Sequence, residues 1–259
     1  MLNIDLSGKK ALVSGVCRGI GLGIARQLAR AGCDVAGCGL SKANQPGPRA
    51  FLKAVASENH RGVYQAVDIT LKHGPQQWVD QASRAIGGVD ILVSNAGRNF
   101  FSGVENCDDK TWKKCIDLNL TAHLWLAKAA RPYLLKSAQP VIIIITSNHA
   151  WRTIAGCFPY NVAKAGLVAM VQSLAIEFGP RIRTVGIAPG FIDTPSNDEW
   201  FKSFPDPAAE RARAEQKHPV HRLGTVDEIG ALCAFLASNH AAFISGTTLL
   251  VDGGVGALM

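Results

Sequence analysis

The chain carries no C-x-x-C pair, no cluster of metal-ligand residues and no apolar run approaching the ~20 residues of a membrane span. Its seven cysteines (Cys17, Cys33, Cys38, Cys107, Cys115, Cys157 and Cys233) are odd in number and scattered. They read as reduced thiols of a cytoplasmic protein rather than a disulfide framework. The N-terminal residues offer no charged-then-apolar leader, so secretion is not expected. Lys and Arg nowhere cluster among aromatics, which excludes an obvious nucleic-acid surface. The net charge of +7 is spread along the sequence. It suits an anionic cofactor, although solubility alone explains it equally well. There is no internal repeat and no low-complexity segment. With 47% apolar and 18% charged residues, the 259-residue chain has the composition of a globular protein with a full core.

Strand-like apolar runs alternate with helix-period stretches. ALVSG (11–15), DVAGCG (34–39), VYQAVD (63–68), DILVS (90–94), VIIIIT (141–146), TVGIA (184–188) and 247–252 read as strands. Helical spacing covers about 20–31, 50–58, 75–86, 108–135, 158–178 and 226–237, and residues 40–49 read as a loop. VIIIIT is apolar throughout, as a parallel strand buried on both faces requires. Such alternation implies an α/β fold with helices on both faces of a parallel sheet. One domain spanning 1–259 is the economical reading, with a Pro-, charge- and aromatic-rich loop or lid at about 191–222.

Tyr160 and Lys164 stand four residues apart in YNVAK, inside the 158–178 stretch. Residues at i and i+4 share one helix face. A phenol that loses its proton near pH ~10 is expected to become a proton carrier near neutrality beside an ammonium. Ser147 lies just after VIIIIT, and Asn119 lies in DLNLTA. Asn mid-helix is unfavourable unless it has a task. Upstream, SGVCRGIG (14–21) places Gly15, Gly19 and Gly21 where a strand hands over to a helix. That turn presents free N–H groups and the positive end of a helix dipole to a phosphate.

In this order and spacing, the sequence resembles the short-chain dehydrogenase/reductase family from Gly8 to about Gly254. The resemblance implies a single-domain Rossmann-type doubly wound parallel sheet of about seven strands. It further implies an NAD(P)-dependent oxidoreductase that moves hydride between nicotinamide and a secondary alcohol or ketone. The family's tetrad falls on Asn119, Ser147, Tyr160 and Lys164. Tyr160 moves the proton. Lys164 lowers the tyrosine pKa and grips the nicotinamide ribose, Ser147 bonds the reacting oxygen, and Asn119 anchors a relay water. The glycine loop (Gly15, Arg18, Gly19, Ile20, Gly21) and Ser41 would hold the pyrophosphate and ribose end. Asp68 and Ile69 would flank the adenine. SNAG supplies Asn95, Ala96 and Gly97, with Ser94 replacing the family's first Asn. Pro189, Gly190, Ile192 and Thr194 would reach the carboxamide.

An acid ending the second strand repels a 2′-phosphate in NAD enzymes. Here Gly39, Leu40, Ser41 and Lys42 occupy that region, and Arg18 could pair with a phosphate. NADP(H) is therefore expected over NAD(H). Ser147, His149, Trp151 and Tyr160 are the candidate substrate residues. Polar groups beside the serine and aromatics in the lid suit a sugar or polyol. The rivals are a 3-oxoacyl thioester reductase or generic ketone reductase, a non-catalytic cofactor sensor, and a cofactor-free lyase. The stripe Trp112, Ile116, Leu120 and Leu124 suggests a homotetramer or homodimer. No metal, membrane or nucleic-acid partner is expected.

Overall fold

The computed structural model describes residues 4–258. The seven strands are β1 (Lys10–Ser14), β2 (Asp34–Gly39), β3 (Gly62–Ala66), β4 (Ile91–Ser94), β5 (Val141–Ile145), β6 (Arg183–Pro189) and β7 (Thr248–Val251). All pair in parallel, in the order β3-β2-β1-β4-β5-β6-β7. The helices are α1 (Gly19–Arg30), α2 (Pro46–Ala56), α3 (Gly74–Ile86), α4 (Asp109–Ile116), α5 (Ala122–Leu134), α6 (Tyr160–Phe178), α7 (Pro195–Phe201), α8 (Pro207–Gln216) and α9 (Val226–Ala237). A doubly wound parallel sheet is thus present, as expected.

The strands read as apolar because both of their faces are covered. Val13, Val93, Ile143 and Ile187 point into one layer with Ile24, Leu28, Phe51 and Ile229. Their neighbours Leu12, Leu92, Ile142 and Ile144 point into the other, with Trp78, Leu126, Leu167 and Val171. Each such side chain, taken wholly out of water, contributes roughly 1.5–3 kcal/mol. Strand order reverses between β1 and β4. The crevice beyond the carboxyl ends of those two strands is where such sheets take ligands.

Three expectations need correction. Residues 40–49 are not wholly loop, because α2 begins at Pro46. Proline has no N–H to lose in a helix's first turn, so Pro46 and Pro48 start the helix rather than block it. The stretch 108–135 is helical throughout, as expected, but not uniformly α: a π-turn (Asp117–Thr121) interrupts the α-helical pitch between α4 and α5. The stripe Trp112, Ile116, Leu120, Leu124 therefore does not form one free face. Ile116 and Leu120 pack on the Phe100, Cys115 and Ala163 cluster, and Trp112 stacks on Phe158 at 5.6 Å. Lastly, the stretch 191–222, expected as a loop, contains two short helices. Asp206 caps α8, and Arg211 ties α8 to Asp193 and Asp198 while pairing with Glu215 on its own helix.

α9, packed on α1, opens with a reciprocal cap. Glu228 N–H donates to Thr225 Oγ1 at 3.2 Å, and Thr225 N–H donates to Glu228 Oε2 at 2.8 Å. Thr225→Ala should lower stability by about 1 kcal/mol, read as an earlier urea midpoint. An unchanged midpoint would show that the cap is redundant.

Candidate active site

The crevice is built by close approach of backbones. Ser14 ends β1, and its hydroxyl accepts from Asn95 N–H and Ala96 N–H, each at 3.0 Å. Asn95 Nδ2 donates back to the Ser14 carbonyl at 2.8 Å. These bonds seat the turn after β4 on the glycine loop. Gly21 admits no side chain, because a Cβ there would lie 2.1 Å from the Gly15 carbonyl oxygen. Gly15 itself has φ +76, and a Cβ would lie 2.9 Å from Ala96 Cα. Thr194 reaches the same loop from the chain after β6: its Cγ2 is 3.5 Å from a Cβ position at Gly19.

Gly97 carries the cradle to the second half of the site. A Cβ there would lie 2.8 Å from Asn119 Oδ1 and 3.6 Å from Lys164 Nζ. Asn119 is fully buried in the π-turn. Its Oδ1 accepts from Arg98 N–H and its Nδ2 donates to the Arg98 carbonyl, both at 3.1 Å. Lys164 is 3% exposed and donates to the Ile145 carbonyl at the end of β5, at 2.9 Å. Its Nζ lies 5.6 Å from the Tyr160 ring centroid, so the two do share a helix face. Ser147 follows β5, 5% exposed, with its hydroxyl 3.3 Å from Asn148 Oδ1 and accepting from His149 N–H at 3.2 Å. The His149 and Phe101 rings stand edge-on to Tyr160 at 6.2 and 5.6 Å.

Residues 15–256 match the family model described as enoyl-(acyl carrier protein) reductase. Over 256 residues the chain is 33% identical to 3beta-hydroxysteroid dehydrogenase 1 of Eggerthella lenta, covering 97% of this chain and 95% of that one. Over 253 residues it is 35% identical to 3-oxoacyl-(acyl-carrier-protein) reductase FabG of Vibrio cholerae, covering 97% and 99%. The chain belongs to the short-chain dehydrogenase/reductase family. Among solved structures, one from Sinorhizobium meliloti 1021, assigned as a short-chain alcohol dehydrogenase, superposes with TM-score 0.92 at 30% identity over 100% of both chains. The aldohexose dehydrogenase of Thermoplasma acidophilum gives TM-score 0.88 at 27% identity over 98% of this chain and 96% of that one. As a short-chain dehydrogenase/reductase the protein is an NAD(P)-dependent oxidoreductase acting on CH–OH groups.

The family's dinucleotide fits the residues present. α1 starts with no acid in its first turn and with no side chain capping its N–H groups, leaving them for phosphate. The glycine cradle is open only because Gly15, Gly21 and Gly97 lack side chains. The other expected cofactor residues divide. Asp68 Oδ1 accepts from Thr70 N–H and Oγ1, and Ile69 and Ile192 are buried in the two core layers, leaving only their backbones to face a ligand. The Ser41 carbonyl accepts from the Tyr64 hydroxyl at 2.7 Å. Gly190 N–H donates to the Val251 carbonyl at 2.9 Å, tying the chain after β6 to β7. Arg18 is exposed and ion-paired to Glu199 at 3.0 Å. Trp151 is also exposed.

The electrostatics correct one expectation. Burial drives the Tyr160 phenol above its ordinary value, and the Ser147 hydroxyl pulls it only part-way back. The Lys164 ammonium does not overcome that rise. Burial instead drops the Lys164 pKa from 10.5 to about 8. Burial also lowers the His149 pKa, so that ring is neutral. Sequence reasoning missed His123 on α5. It is fully buried behind the site, with Nδ1 2.8 Å from the Ser94 hydroxyl. Desolvation, then the nearby Lys164 charge, holds its pKa at about 3. The Ser94 substitution in SNAG was the one available signal. Cys115, whose sulfur accepts from Asn119 Nδ2 at 3.5 Å, gave none.

The Lys164 shift carries a sign that can be checked. Between pH 8 and 10.5 the unfolded chain holds a proton that the folded chain has released, so folding gains stability as pH rises through that window. Against Lys164→Met, wild-type stability should improve by about 3 kcal/mol across it. Chemical denaturation at stepped pH measures this. A pH-independent difference would mean the ammonium is solvated.

Proposed function

We propose that Asn119, Ser147, Tyr160 and Lys164 are the working groups of this oxidoreductase, and that its substrate is a sugar or other polyhydroxylated alcohol. The observation that carries the first part is the convergence of Gly97, Asn119 and Lys164 beside the glycine loop. Hydride donation and acceptance is the chemistry that the nicotinamide supplies when bound. Tyr160 exchanges the proton at the substrate oxygen. Desolvation holds its phenol protonated, the form that a carbonyl reduction consumes. Ser147 donates to the same oxygen and steadies its developing charge. Lys164 stands behind the phenol, and Asn119 fixes the loop after β4 at Arg98, which leaves room for it.

The polyol reading rests on the neutral His149 and on Asn148 beside Ser147, both able to bond neighbouring hydroxyls. The Phe101 ring edge-on to Tyr160 supplies a wall against which a sugar ring can lie. A solved neighbour described as an aldohexose dehydrogenase agrees with it. Exposed Phe101, Trp151, Ile154 and Trp200 favour a second reading, an apolar ketone or 3-oxoacyl thioester, the substrates named for other relatives. Residues 191–222 act as the lid, its aromatics clustered on Phe191, Trp200, Phe201 and Phe204. Exposed Trp112, Trp125, Val162 and Ile176 on α4, α5 and α6 support assembly as a homodimer or homotetramer.

NADP(H) is the preferred cofactor in this reading. Gly39 offers no acid to repel a 2′-phosphate, and Arg18 and Lys42 flank that end. Dissociation constants for NADPH and NADH, measured by fluorescence, should favour NADPH. Arg18→Ala should erase most of the difference. Tight NADH binding that ignores this substitution overturns the preference.

Tyr160→Phe should cut turnover by several orders of magnitude and leave cofactor affinity within about threefold, since only the proton carrier is lost. Substantial residual turnover would remove Tyr160 from the mechanism. Aldohexoses, polyols, 3-hydroxysteroids and 3-oxoacyl thioesters assayed with both cofactors decide the substrate class. Highest kcat/KM on a steroid or thioester would replace the polyol reading.

A further inference from the structure

Glu199 lies on α7, far from the glycine loop in sequence, yet its Oε1 meets Arg18 Nη1 at 3.0 Å. The surroundings make this contact consequential. A dinucleotide's adenosine ribose is met at the end of β2, where an acid selects against a 2′-phosphate. Gly39, the last residue of that strand, leaves little room for an acid. A Cβ at Gly39 would lie 2.7 Å from Cys17 Sγ and 3.3 Å from the Tyr64 hydroxyl. Cys17 and Tyr64 are themselves joined at 3.4 Å, and Tyr64 donates to the Ser41 carbonyl at 2.7 Å. That wall is closed by packing, so charge selection there falls to groups that reach in from outside. Arg18 is one such group and Glu199 is the other.

From this geometry we infer that Glu199 competes with the cofactor's 2′-phosphate for Arg18, and so sets how strongly the enzyme discriminates NADPH from NADH. This rests on the NADP reading above. Both partners are more than half exposed, at 58% and 65%. A pair so exposed is held weakly, and a phosphate dianion can displace it. A carboxylate left beside the phosphate then repels it. NADH brings no phosphate and leaves the pair intact. The competition also couples two sites. Glu199 follows Thr194, which caps α7 and touches the glycine loop, and precedes Trp200 in the lid's aromatic cluster. A ligand that takes Arg18 away from Glu199 therefore loosens the bond between lid and cofactor loop. By reciprocity, a loosened lid binds that ligand better.

The test compares wild type, Glu199→Gln, Glu199→Ala and Arg18→Ala, each checked for an unaltered circular dichroism spectrum and melting temperature. Binding of NADPH, NADH, 2′,5′-ADP and 5′-AMP is measured by fluorescence or calorimetry. Both Glu199 variants should bind NADPH and 2′,5′-ADP about three- to tenfold more tightly, with NADH and 5′-AMP within twofold of wild type. In wild type, 2′,5′-ADP but not 5′-AMP should speed limited proteolysis within 195–216. Two negative outcomes are distinct. If Arg18→Ala weakens NADPH while neither Glu199 variant changes the NADPH-to-NADH ratio, Arg18 reads the phosphate without a competitor, and this inference fails alone. If wild type prefers NADH and Arg18→Ala changes nothing, the NADP reading fails and takes this inference with it.

Discussion

A buried ammonium with one carbonyl partner constrains the architecture at the mouth of this sheet. Lys164 sits 3% exposed against the end of β5. A charge so placed is tolerated only where geometry and hydrogen bonding are nearly fixed. The neighbouring choices follow from it. Gly97 must lack a side chain, because the space its Cβ would take borders both Asn119 and the ammonium. Asn119 must satisfy the backbone at Arg98 with both ends of its amide, since the loop there has no strand beside it to do so. The π-turn at Asp117–Thr121 puts Asn119 in line by inserting extra backbone where an α-helix would have carried it past. Local irregularity in an otherwise regular helix thus traces to one buried side chain.

The site is rigid on one side and adjustable on the other. The glycine loop, SNAG turn, Ser147 and α6 all rest on strands whose side chains are wholly buried in two core layers. The lid rests on a small cluster of Phe191, Phe201, Ala214 and Leu223, and on the Arg211 ion pairs. Ion pairs at that degree of exposure are individually weak, so residues 191–222 are held by fewer buried contacts than the strands are.

Legibility in the sequence follows the same division. VIIII, buried at every position, could hardly be anything but a central strand. The glycine loop and YNVAK were readable because their spacing is dictated by backbone approach and helical pitch. α2 was misjudged at its start because residues 40–49, rich in turn-forming types, carry no apolar period. α7 and α8 were invisible for a different reason: Pro, charge and aromatics in mixture carry no period, and Arg211, which ties them together, finds its acids only after folding. The π-turn left no trace in DLNLT beyond an awkwardly placed Asn. Pairings across long separations, Ser94 with His123 and Arg18 with Glu199, have no local signature at all.

The phenol and ammonium on α6 share more than their i, i+4 spacing, because desolvation shifts both. Desolvation acts on each alone in the direction of its neutral form, raising Tyr160 and lowering Lys164. A lone phenolate or a lone ammonium is therefore disfavoured in this pocket. The two together attract one another through a medium less polar than water, and that attraction offsets part of both desolvation costs. A charge at the oxygen therefore bears on a charge at the nitrogen a turn away. The Ser147 hydroxyl beside the phenol and the Ile145 carbonyl at the ammonium each bias one member of the pair. In the reading proposed above, proton exchange at the substrate oxygen is therefore set by Tyr160 and Lys164 together, because desolvation opposes either charge alone.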